Sequence, residues 1–141
     1  MNSPADDVVD MLVADDDSSS GVSLNLVFAT NLFVGKEPAK PNTCVTIYDH
    51  AGFAPSLSLG GKQDSGYEYP SIQIRVRSSR EQDAWSLINR INLSLHARNH
   101  EVWNGALYTV IYCSSGPALL DYDDNGNARV VLNFNMQRRT A

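Results

Sequence analysis

Ser71-Ile-Gln-Ile-Arg-Val-Arg-Ser-Ser-Arg-Glu-Gln-Asp-Ala-Trp-Ser-Leu-Ile-Asn-Arg-Ile-Asn-Leu-Ser-Leu95 carries two hydrophobic periods in succession. From Ser71 to Arg77 the period is two: Ile72, Ile74 and Val76 fall on one face, and Gln73, Arg75 and Arg77 on the other, as a half-buried strand requires. Ser78 and Ser79 are each followed three residues later by Glu81 and Gln82, two overlapping capping boxes. Ala84, Leu87, Ile88, Ile91 and Leu95 then recur at helical spacing, which predicts a helix over about 80–97. A strand with one apolar face joined directly to an amphipathic helix indicates a sheet covered by helices.

Upstream, Ser3-Pro4 with Asp6 three residues after the serine reads as a capped helix start, and Val8, Val9, Met11, Leu12 and Val13 continue it. That helix is expected over about 4–15, stopped by Ser18-Ser-Ser-Gly21. Leu24 to Ala29 reads as a short strand, residues 35–42 with two prolines and a glycine as a connector, and Cys44 to Tyr48 as a strand. Asp49 to Gly66, with glycines at 52, 60, 61 and 66, lacks a period and is expected to be a long functional loop.

Downstream, Glu101–Trp103 and Leu107–Cys113 flank Asn104-Gly105, a pair that accepts the positive φ angles of a tight hairpin turn. The second arm is apolar on both faces and is expected to be central. Residues 114–127, with Gly116-Pro117 and Asn125-Gly126, read as a second loop, and Arg129 to Arg138 as a long closing strand. The expectation is a single α+β domain over residues 1–141: an acidic helix at about 4–15 and a core at about 22–139. Its sheet would be mixed and largely antiparallel, of five or six strands, with two helices packed on one face.

Composition narrows the classes. The 141 residues are 43% hydrophobic and 19% charged, enough apolar surface for one core and too little charge for a disordered chain. No run approaches the roughly 18 apolar residues of a membrane span. The start, Met-Asn-Ser-Pro-Ala-Asp-Asp, has neither the basic nor the apolar region of a signal peptide, so a product made and kept in the cytoplasm is expected. Cys44 and Cys113 are too few for a disulfide framework and are expected as buried thiols. The net charge of −5 sits at one end, because residues 1–35 hold six aspartates and no Lys or Arg, whereas residues 36–141 hold 11 basic and 10 acidic residues. Such a chain lacks the clustered cations of a nucleic-acid binder. Arg75, Arg77 and Arg80 form one local basic group, and Arg138 with Arg139 another.

Motifs for catalysis or metal are incomplete. Asp121-Tyr-Asp-Asp-Asn-Gly126 opens like a calcium loop, but its twelfth position is Leu132 inside a strand pattern, where a bidentate Glu is needed. His96 and His100 are four apart, yet no Glu follows the first and the helix is ending. Asp49-His50 is a polar pair beside the long loop, without a nucleophile elbow or other hydrolase signature. Gly35-Lys36 and Gly60-Gly-Lys62 lack the rest of a phosphate loop. No cofactor and no metal are therefore expected. Phe53, Tyr67 and Tyr69, in or beside the long loop, suit protein binding, since aromatics concentrate in interface cores.

Between about residues 30 and 139 the succession of short words resembles the tail terminator, or tail completion, proteins of long-tailed bacteriophages, some of them known as minor capsid proteins. The words are Asn31-Leu-Phe33, Pro41-Asn-Thr-Cys-Val-Thr-Ile-Tyr-Asp49, Gly52 with Pro55, Tyr69-Pro-Ser-Ile-Gln-Ile-Arg-Val-Arg77, Ala84 and Leu95 in the helix, Asn104-Gly105 before Tyr108-Thr109, and Asp123-Asp-Asn-Gly126 leading into Asn133-Phe134. The resemblance implies a non-enzymatic virion protein made in the host cytoplasm. It implies a hexameric ring that ends tail-tube polymerisation and meets the head-side connector, with DNA passing through the lumen without sequence readout. The candidate interface residues are Phe53, Lys62, Tyr67, Tyr69, Arg75, Arg77 and Arg138, and the basic group at 75–80 is expected to meet the acidic first helix of a neighbouring subunit. A head-side stopper or another neck protein is the nearest alternative, and a small ligand-binding or hydrolase domain using the Asp49/His50 loop the more distant one.

Overall fold

The computed structural model describes residues 2–16, 24–55 and 66–141. In chain order the elements are α1 (Pro4–Asp16), β1 (Leu32–Val34), β2 (Cys44–Phe53), β3 (Tyr69–Ser78), α2 (Glu81–Leu95), β4 (Glu101–Trp103), β5 (Ala106–Tyr122) and β6 (Ala128–Thr140). The six strands form one mixed sheet in the order β1-β2-β3-β6-β5-β4. β1 runs parallel to β2, and the other four neighbouring pairs are antiparallel.

Alternation decides which face is covered. β3 buries Ile72, Ile74 and Val76, and β6 buries Val130, Leu132, Phe134 and Met136 on the same side. Against this face pack Ala5, Val8, Met11 and Leu12 of α1 and Ala84, Ile88, Ile91 and Leu95 of α2, in one continuous core. α1 begins as its sequence demands: the Asp6 amide bonds the Ser3 hydroxyl at 3.2 Å, and that hydroxyl donates to the Asp6 carboxylate at 3.1 Å. The β4–β5 turn has Asn104 at φ 49° and Gly105 at φ 80°, the left-handed pair that a two-residue hairpin loop needs.

Several expectations are corrected. Leu24 to Ala29 is not a strand. Asn25 and Ala29 take positive φ, and the Asn31 side chain accepts from the Val27 amide at 2.7 Å and donates to the Asn25 carbonyl at 2.9 Å, so a side chain satisfies the backbone that a ladder would have used. β1 follows it at Leu32–Val34, and an isolated bridge from Phe28 to Leu32 extends the sheet on that side. The polar residues Asp49 and His50 belong to β2, which runs on to Phe53.

The serine boxes do not cap α2. Its N-cap is Arg80, while Ser78 ends β3. Residues 114–122 are not a loop: β5 runs through Gly116-Pro117, and register shifts at 113/115, 115/118 and 119/121 absorb the residues that cannot pair. Nor is β5 central, since β4 covers only Ala106–Tyr108. Cys44 is buried as expected, and Cys113 is only half-buried. The stop at residues 18–21 lies outside the described residues.

Candidate functional site

Three of the seven candidate residues meet at the tip of the β2–β3 pair. The register slips between His50 and Phe53, which brings Phe53 opposite Tyr69, with Tyr67 two residues before it. Gly52 makes the slip possible. A Cβ there would stand 1.7 Å from the Tyr69 carbonyl oxygen, so only glycine allows the two backbones so close. Phe53 is 73% exposed at this tip, while Tyr67 and Tyr69 are half-buried. Lys62 lies outside the described residues.

Arg75 stands on the face of the sheet that carries no helix. Its Nε donates to Gln73 Oε1 at 2.8 Å, and its guanidinium lies 4.8 Å from the centre of the Tyr48 ring. Burial pushes the Tyr48 phenol up, and Arg75 opposes that. Gln73 Nε2 bonds Asn133 Oδ1 at 3.2 Å, Asn133 Nδ2 bonds Ser115 Oγ at 2.8 Å, and Ser71 Oγ bonds Asn135 Oδ1 at 3.0 Å. A ladder of amides and hydroxyls thus crosses β3, β6 and β5, with Arg75 as its charged member. The ladder was missed in the sequence, although alternation of Asn133, Asn135 and Gln137 against an apolar series was its signal.

Arg77 and Arg138 do not share that exposure. Arg77, 4% exposed, donates to the carbonyls of Pro41 (2.7 Å), Asn42 (3.2 Å) and Ala39 (3.3 Å), and so ties the proline connector onto the end of the sheet. Glu37 is 3.7 Å and Asp123 3.9 Å from the same guanidinium. Arg138 is buried beneath α1, where it bonds Asp7, the Asn2 carbonyl, the Tyr108 hydroxyl and Glu68. Tyr108 donates to Asp7, and the Asn104 amide bridges Asp7 and Asp10 at 2.7 and 2.8 Å. At the far end of α1, Asp15 pairs with Arg98 at 2.6 Å and accepts from Ser94. Asp7 and Asp15 of the first helix therefore meet bases of their own chain, and the basic group at 75–80 is divided: Arg77 is buried, whereas Arg80 is exposed beside Asp83.

The residues weighed for catalysis or metal are dispersed. Asp49 and His50 are consecutive in β2 and point to opposite faces; Asp49 accepts from the Ala5 amide at the start of α1 (3.0 Å). His96 accepts from the Cys113 amide, and His100 lies beyond the helix at φ 54°. Asp123 accepts from the Asn125 and Asn127 amides and from the Asn127 side chain, and that last bond, aided by the amides, holds its carboxyl below the usual range. Among the described residues no three His, Cys, Asp or Glu side chains are grouped to hold a metal, and no helix is long and apolar enough to cross a membrane.

The family whose profile matches residues 9–140 is described as "Bacteriophage tail terminator protein". Among solved structures, a chain of the "Virion of native gene transfer agent (GTA) particle" is similar in fold, with a TM-score of 0.65 at 11% identity over 97% of this chain and 95% of that one. No curated protein matches the sequence.

Proposed function

Because the chain belongs to the bacteriophage tail terminator family, we propose that it forms a ring on the end of the tail tube, stops tube polymerisation and joins the tail to the head connector. The family match over residues 9–140 carries this reading, and the likeness of almost the whole chain to one from a phage-like virion supports it. The ring is a hexamer of about 93 kDa (six chains of 15.5 kDa), and it dissociates on dilution by mass action.

The surfaces suit such a part. The sheet has an aromatic tip at Phe53 and Tyr69 and, at the other end of its strands, the acidic turn after Asp121, so two different surfaces face opposite ways for two different partners. The net charge of −5, without clustered cations, suits a lumen through which DNA passes without being gripped. The protein carries no catalysis in this reading: Asp49→Ala with His50→Ala leaves assembly intact.

Electron microscopy of particles made with this gene disrupted tests the proposal by scoring tail length and head attachment together. Overlong tails detached from filled heads are expected. Detached tails of normal length would move the protein to the head side of the joint, and normal virions would overturn the reading.

A further inference from the structure

We propose that the groove between α1 and Phe28 is the docking site for a basic, apolar segment of another virion protein; the inference rests on reading the chain as a virion part. Ala5, Val8, Met11 and Leu12 turn α1 into the core. Asp6, Asp10 and Val13, at spacings of four and three, succeed one another on a different side of the helix. With Val9, Ala14 and Phe28 they line a groove of about 510 Å³, in the range of sites that hold a ligand group. Val9 is almost buried, whereas Val13 is 38% and Phe28 55% exposed. Exposed apolar side chains gathered about one concavity mark a surface that a partner covers.

The acids decide what the partner is. Asp7 and Asp15 of α1 are neutralised by Arg138 and Arg98. Asp6 and Asp10, both exposed, have neutral donors instead: the Ser3 hydroxyl at 3.1 Å and the Asn104 amide at 2.8 Å. No Lys or Arg is among the described residues that line the groove. Two uncompensated negative charges at one end of an apolar trough fit an apolar side chain that carries Lys or Arg beside it, and they repel the phosphates of DNA and the headgroups of an anionic membrane. The occupant is a different chain, because a second copy is itself at −5 and commits Arg77, Arg98, Arg129 and Arg138 to its own carboxylates.

Photo-cross-linking in assembled particles tests this. With p-benzoylphenylalanine in place of Phe28, or of Val13 as a second position, irradiation should give one adduct with another virion protein, which mass spectrometry of the digest places on an apolar residue next to Lys or Arg. A synthetic peptide of that cross-linked segment should then bind the isolated protein. Asp6→Asn with Asp10→Asn keeps an oxygen to accept from Ser3 and Asn104 while removing both charges, so it should leave the melting temperature unchanged and weaken the peptide about fivefold, as for two exposed ion pairs. Equal binding by that double variant would overturn the proposal. So would an adduct with an acidic segment, adducts confined to the same chain or to a second copy, or none from either position in particles of normal tail length with heads attached; the tail reading would then stand with its contacts elsewhere. Normal virions after gene disruption would instead overturn the tail reading itself.

Discussion

Asp7 of α1 and Arg138 of β6 stand 3.4 Å apart with both side chains buried, although 131 residues separate them in the chain. Asp7→Ala strands the guanidinium beneath the helix, with only Glu68, a carbonyl and a phenol to satisfy it. A loss of about 3–5 kcal/mol is expected, as for a buried pair broken on one side, measured as a lower midpoint in urea. A loss under about 1 kcal/mol would mean that water reaches the pair.

Tyr108 links that pair to the alkaline limb of stability. Burial, reinforced by its hydrogen bond to Asp7, pushes the phenol far above its ordinary value near 10. Its contribution is full below pH 10, and it is lost as the pH rises above 10 because the unfolded phenol ionises first. Tyr108→Phe should lower stability at pH 7 by about 1 kcal/mol and flatten the fall above pH 10. Equal alkaline slopes in the two proteins would count against the assignment.

Arg75 and Arg77, two residues apart, should behave oppositely. Arg77→Ala removes the three bonds to the connector and should cost about 3 kcal/mol, with proteolysis at residues 38–42 accelerating. Arg75→Glu should move the melting temperature little while reducing assembly into tails. Reversing the charge at Arg77 as well would confound assembly with folding, because the buried Arg77 is part of the fold. Equal destabilisation by Arg75→Glu and Arg77→Ala would sink the distinction.

At Gly52, alanine must push the Tyr69 carbonyl away. Gly52→Ala should cost about 2 kcal/mol as an overpacked site and shift the backbone resonances of Phe53 and Tyr69 while sparing those of β5. Unchanged stability would show that the tip gives way freely.

The elements readable in the sequence are those whose burial is uniform along their length. β6 alternates from Ala128 to Arg138 because one face meets the core throughout, and Ser3 signals α1 because its cap is local. What escaped depends on contacts distant in sequence or on defects. Nothing near Asp7 announces that Tyr108, Asn104 and Arg138 will surround it, and a charge near a chain end reads as solvated. Gly116-Pro117 reads as a break because the rule for strands assumes regular pairing, whereas β5 keeps its path by shifting register. Leu24 to Ala29 has strand composition, but the Asn31 side chain takes over its hydrogen bonds. Of the candidate surface, the aromatic tip was readable from composition, and the amide ladder needed the pairing of three strands.

The interrupted course of β5 has a consequence for an isolated copy. An unbroken edge of this length would be a template on which extended segments of other chains could add, one after another. Here an incoming strand meets a residue with no amide proton at Pro117 and a change of phase at each register shift, so growth started at one end cannot propagate to the other. The chain can thus expose apolar side chains along this edge without seeding cross-β fibres.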